Sequence, residues 1–382
     1  MEKRKLTRTV SVICIAAMVL MIFAGCNNSP AAQSTSNGGG GGGSEFGLVG
    51  DPSEEYYALC FVSGVEYWFP VFAAFKQAGN QLGVQTFYTG TTEYDANKQV
   101  EVFNQTLAKN PKGIFVSPIT AEAFKEPIDR AVDQGVAIVT WASDSPDSAR
   151  QALVTSDNIN EGRTAAREMA AKLGESGKVM VMRNPGQTNH DIRCDTFIST
   201  INDEFPNMEV VADEVSNQDP DATATAVKTV YQKHGDLGGV FTPEANSASG
   251  ATSAALELGA DIKIICCDVN TQVLDLLQED NSPMYMALNP DQGTQGYFAM
   301  QILFAIAHPE RTDFMNGAKE TGNQIINIPM LDNGLTKVTA ENAQFFYVDK
   351  YAESLGFKNI EDMLSPGGPG NQDFDPHTGL PR

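Results

Sequence analysis

The chain has 382 residues, 42% of them hydrophobic, with 26 basic and 48 acidic side chains and a net charge of −22. That sign opposes a nucleic-acid backbone, whose recognition needs basic neutralisation, so DNA and RNA are excluded as partners and acidic polymers as substrates. His190, His234, His308 and His377 fall at no ligand-like spacing, so neither a metal site nor a cofactor is expected.

At the N-terminus, Lys3, Arg4, Lys5 and Arg8 give a positive start, and residues 10–24 form a mostly apolar run that ends at Gly25-Cys26. The run falls short of the ~20 residues a helix needs to cross a bilayer core, and small residues follow it, so 1–25 reads as a signal peptide. Its removal takes away four basic residues and one acidic residue and leaves a charge of −25. Residues 26–55 include an unbroken glycine run, 38–43, and read as a flexible tether that cannot bury enough surface to order itself. Of the cysteines beyond this region, Cys266 and Cys267 are adjacent on an apparent strand and point to opposite faces, so they are poorly placed to pair or to share a metal. With Cys60 and Cys194 they read as buried thiols.

The body from Tyr56 to about Phe357 exceeds what one core usually holds, so two domains are expected. Strands are predicted at 57–62, 84–88, 113–116 and 136–140, with helices at 69–82, 97–109 and 121–134 between them. The alternation resumes with helices at 160–173, 191–204, 223–233, 247–258 and 273–279, and strands at 178–182, 208–212, 239–241 and 262–267. Near-continuous apolar strands separated by helices imply parallel sheets covered on both faces. The expected fold is therefore α/β: two doubly wound parallel-sheet lobes joined by a multi-strand hinge. The first lobe takes 56–155 plus about 290–318, and the second takes 156–289 plus about 319–357. Segments near 287–289 and 314–321 look like passages between lobes, and the tail 365–382 reads as disordered.

Ligands of open parallel sheets gather beyond the carboxyl ends of strands. In the first half those positions carry Glu66, Tyr67 and Trp68, then Ser117, then Trp141, Ser143 and Asp144. In the second half they carry Asn184, Gln187 and Arg193, then Glu244 and Asn246, then Asp268, with Asn289 at a later passage. Aromatic faces suit the C–H surface of a sugar ring, while carboxylates, amides and an arginine fork suit its hydroxyls. Some of these residues have a plainer reading. Tyr67 and Trp68 could only pack, Arg193 could be solvated, Asp144 could cap the turn through Ser145-Pro146, and Asn289 could serve a hinge turn. No GxGxxG follows the first strand and no GxxxxGK[ST] run is present, so nothing here cradles a nucleotide.

Several stretches, taken in order and spacing, carry a resemblance. They are Phe61-Val62-Ser63 with Tyr67-Trp68, Gly113 to Pro118, Ile138 to Asp144, Ser156-Asp157-Asn158 followed by Gly162, then Arg193, Phe241 to Gly250, and Cys267-Asp268. Over Tyr56 to about Lys350 the sequence resembles the periplasmic sugar-binding proteins of the ribose-binding type, with the related autoinducer-2 and rhamnose receptors. The resemblance implies a periplasmic binding protein of type I that captures a small sugar, a monosaccharide, between its lobes and delivers it to ABC permease subunits, as a monomer and without catalysis. It also implies stacking by Tyr67 and Trp68, hydroxyl binding by Arg193, and a binding acid at Asp268. Glu244 stands where ribose binders place asparagine, and Ala142-Ser143 replaces their Asp-Arg pair, with Asp144 nearby. Phe23-Ala24-Gly25-Cys26 resembles a lipobox, which implies a lipid on Cys26 that anchors the protein to the outer face of the cytoplasmic membrane. Two other readings are a sensory receptor component for a sugar or autoinducer-2 and a glycoside hydrolase using paired carboxylates.

Overall fold

The computed structural model describes residues 49–309, 330–354 and 357–364. The expected signal peptide, Cys26, the tether up to residue 48, the passage at 314–321 and the tail lie outside the described residues.

The first lobe starts with β1 (Glu55–Cys60), α1 (Trp68–Gln81), β2 (Gln85–Gly90), α2 (Ala96–Leu107) and β3 (Gly113–Val116). It continues with α3 (Ala121–Asp133), β4 (Ala137–Trp141) and β5 (Ala152–Thr155). The second contains α4 (Asn158–Leu173), β6 (Gly177–Arg183), α5 (Thr188–Glu204), β7 (Met208–Val215) and α6 (Pro220–His234). After these come β8 (Leu237–Thr242), α7 (Ala245–Leu258), β9 (Lys263–Cys267), α8 (Thr271–Gln278) and β10 (Met284–Pro290). The chain then returns to the first lobe as α9 (Gln292–Ala307) and β11 (Met330–Asp332), and re-enters the second as β12 (Leu335–Val338). Many helices begin at a short polar side chain that accepts the first free backbone N–H groups, as Asp95, Asp157, Asp219, Asn270 and Asp291 do.

Strand order is β11-β5-β4-β3-β1-β2 in one sheet and β12-β10-β9-β8-β6-β7 in the other. Every pair is parallel except β10 with β12. Order reverses at β1 in the first sheet and at β6 in the second, and a crevice opens at such switch points beyond the carboxyl ends of the strands.

Both sheets are buried on both faces, which explains the continuous apolar runs. Ala58, Phe115 and Val139 face α1 and α9, whereas Leu59, Ile114 and Ile138 face α2 and α3. In the second sheet Cys266 and Cys267 enter the cores on opposite faces, and all four cysteines of the body are free buried thiols. The α1–α9 contact depends on Gly296, where a Cβ would lie 1.8 Å from the Val71 carbonyl oxygen.

Two stretches differ from the sequence-based division. Residues 49–54 pack against the body instead of belonging to a tether: Gly50 N–H donates to the Leu82 carbonyl and Glu54 is buried. Residues 330–332 do not belong to the second lobe, because β11 pairs with β5, and the chain crosses at Asn333-Gly334 before β12. Beyond β12, a 3-10 turn (Ala343–Phe345) is followed by Tyr347, whose hydroxyl donates to Asp275 of α8 at 2.6 Å. The chain then crosses again as α10 (Val348–Ser354) and α11 (Ile360–Leu364), whose Ala352 and Ile360, with Phe357 between the helices, pack with Ala73 of α1.

Candidate functional site

The switch-point ends of the two sheets face one another across a cavity lined by residues of both lobes. Its first wall is aromatic. Trp68 is held by its indole N–H, which donates to the Phe61 carbonyl at 2.8 Å, and Phe61 and Tyr67 meet its edge at 5.2 and 4.9 Å between ring centres. Ser117 and Ser143 complete this wall. The Ser117 loop is fixed by the buried Gln99, whose amide spans the Ser117 carbonyl and the Ile119 N–H.

The second wall is polar. Gln187, Asn189 and His190 come from the start of α5, Glu244 and Asn246 from the start of α7, and Asp268 from the end of β9. Asn184 sits beneath them, at 3.1 Å from His190 Nδ1, and it also accepts from Ser216 and the Gln218 N–H. Val62, Ala142 and Asp268, each just past a strand, adopt φ of 44°, 54° and 64°. Left-handed backbone is unusual for such residues and tends to cluster at functional sites.

Five buried polar atoms on these walls have no hydrogen-bond partner among the described residues: Ser117 Oγ and Ser143 Oγ from one lobe, Gln187 Nε2, Asn189 Oδ1 and Asp268 Oδ1 from the other. Each such atom costs about 1–3 kcal/mol unless something satisfies it.

Behind the second wall lies a charge cluster. Arg193 is almost fully buried; its Nε donates to Glu161 and to Asn158 Oδ1, and its Nη1 donates to the Pro243 carbonyl at 2.9 Å and lies 3.6 Å from Asp268 Oδ2. Close approach of α4 and α5 makes this possible, and Gly162 permits it, since a Cβ there would stand 2.3 Å from the Arg193 carbonyl oxygen. Burial opposes the Arg193 charge, but Glu161 and Asp268 outweigh it and hold the guanidinium protonated. Burial pushes the Asp268 carboxyl up to about 7; Arg193 opposes that rise while Glu161 and Glu244 add to it. Burial also raises Glu161 and Glu244, and burial together with Arg193 keeps His190 neutral.

Of the residues singled out in the sequence, Tyr67, Trp68, Ser117, Ser143, Gln187, Glu244, Asn246 and Asp268 meet at the cavity. Six do not line it, Asn184 beneath the second wall being one. Trp141 is fully buried behind Trp68, with ring centres 5.0 Å apart. The Asp144 carboxylate is occupied by a two-pronged Arg150 contact at 2.6 and 2.7 Å, by Thr140 and by the Ser145 N–H, so the turn-capping reading describes it. Arg193 stands one layer back. Glu66 accepts from the Thr271 N–H at 2.7 Å, and Asn289 pairs with Gln292; both border a neighbouring cavity closer to the hinge. Glu244 lines the cavity but spends its carboxylate on the N–H groups of Asn246 and Ser247, capping α7. Asn189, His190 and Glu161 escaped the sequence reading, although the first two lie within three residues of Gln187.

The lobes touch at the rim of the cleft. Glu66 and Thr271 form one bridge, and Asp144 N–H to Thr188 Oγ1 at 2.8 Å forms another. At the hinge, Asn333 donates to the Asp291 carbonyl and accepts from Gln295, which in turn accepts from the Tyr67 hydroxyl.

The periplasmic binding protein domain model matches residues 58–310. The chain belongs to that family. Among solved structures, this periplasmic binding protein is similar to an arabinose binding protein from Geobacillus stearothermophilus. They share 34% identity and a TM-score of 0.68, covering 78% of this chain and 100% of that one. A sugar-binding protein of a sugar ABC transporter from Bacillus halodurans is similar at 30% identity and a TM-score of 0.69, covering 77% and 100%. In sequence alone the periplasmic binding protein matches the ribose import binding protein of Bacillus subtilis (strain 168) at 25% identity over 198 residues, 52% of this chain and 64% of that one. Matches to two D-apiose import binding proteins span 70% and 61% of those relatives. The two doubly wound lobes expected from the sequence are the architecture of these structures.

Proposed function

We propose that the chain captures one small polyhydroxylated ligand, a monosaccharide of the kind taken by ribose-type binders, between its lobes and delivers it to ABC permease subunits outside the cytoplasmic membrane. The carrying observation is the set of five buried polar atoms without a partner among the described residues, two from the first lobe and three from the second, around a cavity walled on one side by Trp68, Tyr67 and Phe61. A ring with an apolar face and several hydroxyls satisfies all of them at once, and a ligand that touches both lobes stabilises the closed form over the open one. The site residues are those at the cavity, with Arg193 acting from behind Asp268. The names of the relatives support the class: ribose, D-apiose, D-allose and xylitol among curated proteins, arabinose among structures. The mechanism is reversible capture by a monomer held to the membrane through lipidated Cys26, with no covalent step.

A thermal-shift panel of pentoses, hexoses, deoxysugars, inositols and autoinducer-2 tests this. A ligand at 100 times its Kd adds about 2.7 kcal/mol of stability, so one polyol class should raise the melting temperature by several degrees. A flat response across the panel rejects the reading.

A further inference from the structure

Arg193 shows its back to the cavity, and the reason is Glu161. Both side chains are buried, Glu161 receives the Nε–H, and Asn158 shares the same edge of the guanidinium. Nη1 goes to the Pro243 carbonyl and reaches only Oδ2 of Asp268, at 3.6 Å. The other carboxyl oxygen, Oδ1, has no partner among the described residues. Asp268 therefore has a partial counter-ion and one oxygen free for a ligand.

We propose that Glu161 is a positioning residue of the ligand site: by holding Arg193 on the side away from the cavity it keeps the arginine from closing onto Asp268, and so leaves Asp268 Oδ1 to a ligand hydroxyl. This rests on the cleft being the ligand site, but the internal geometry does not. The groups that face Asp268 are Arg193 of α5, Glu161 of α4, Glu244 at the start of α7, Tyr67 before α1, and the thiols of Cys266 and Cys267 in β9. Among these, Glu161 acts twice, once as a like charge and once as a competitor for the shared cation. Removing it strengthens the Arg193–Asp268 pair by both routes. Glu161 comes from a different helix and is invisible from the cavity, yet it decides whether the acid there is ionised and paired or neutral and able to donate as well as accept a hydrogen bond.

The test has a ligand-free arm and a ligand arm. Without ligand, melting temperatures of wild type, D268N, E161Q and the double variant are measured from pH 4 to 9. The pH at which the D268N melting curve parts from that of its parent reports the Asp268 titration, and in the E161Q background it should fall by at least one pH unit. With ligand, D-ribose and D-arabinose are titrated calorimetrically across the same range, and the inflection in affinity near pH 7 should move down with it and vanish in D268N. Should E161Q not fold, E161D serves. Its shorter arm must either pull the guanidinium further from Asp268 or release it, so the midpoint moves up or down. A midpoint that stays in place in every Glu161 variant overturns the inference. A shifted midpoint in a wild type that binds no sugar leaves the positioning role standing and removes the proposed function instead.

Discussion

Asp268 shows how far one side chain departs from its solution behaviour. Its carboxyl is lifted from 3.8 to about 7, so between those values the folded chain keeps a proton that the unfolded chain has lost. Stability from this group is fully present below the lower value and is lost as pH rises through the upper one. Ligand-free D268N should therefore melt higher than wild type at pH 8, with the gap closing toward pH 4; a gap independent of pH contradicts the assignment. Ser117 and Ser143 follow the same logic without charge. S117A and S143A each delete a buried hydroxyl that has no partner among the described residues, so each should leave the ligand-free protein as stable or up to about 1–3 kcal/mol more stable while weakening sugar binding. Denaturant unfolding beside calorimetry checks both halves. Asp144 behaves in the opposite way: D144N breaks the Arg150 contact and should lower stability more than affinity. The residue types at strand ends were legible in the sequence, because a polar residue that ends an apolar strand has few structural uses. Their orientation was not: Asp144 and Arg193 find partners, Arg150 and Glu161, through contacts that no spacing rule reveals.

Among the elements, the alternating strands and helices through α8, β5 excepted, were legible because each carries its own period or apolar run, and most boundaries fall within a few residues of expectation. β5 has only four residues and α9 is apolar around most of its surface, lying between α1 and the first sheet, so neither offers a period to read. The return of the chain to the first lobe as β11, and again as α10 and α11, is tertiary information. The α1–α9 contact yields a firm prediction. In G296A a Cβ would meet the Val71 carbonyl oxygen at 1.8 Å, and since both helices are buried neither can yield cheaply. Overpacking of this kind typically costs about 1–3 kcal/mol and sometimes more. The melting temperature of G296A should fall by several degrees with sugar affinity per folded molecule retained, and an unchanged melt argues against the close approach.

At the scale of the whole molecule, the proposed capture rests on an equilibrium between separated and apposed lobes. The Asp144–Thr188 and Glu66–Thr271 bridges join the lobes in the closed form, alongside whatever the ligand contributes. T188A removes one bridge of ordinary strength and touches nothing at the cavity wall. It should weaken sugar binding a few-fold through the closing equilibrium and leave the melting temperature of the ligand-free protein nearly unchanged. The two-lobe architecture was legible from the doubled α/β grammar, whereas the closed state was not, because it depends on residues 44 and 205 positions apart meeting at the rim.

The most direct test is isothermal titration calorimetry of wild type, R193A and D268A with D-ribose, arabinose, D-allose and xylitol. The account predicts one-to-one binding of at least one of these sugars by wild type and a loss of tenfold or more, about 1.4 kcal/mol, in each variant. Equal affinity in all three proteins, or no heat from any sugar, contradicts it.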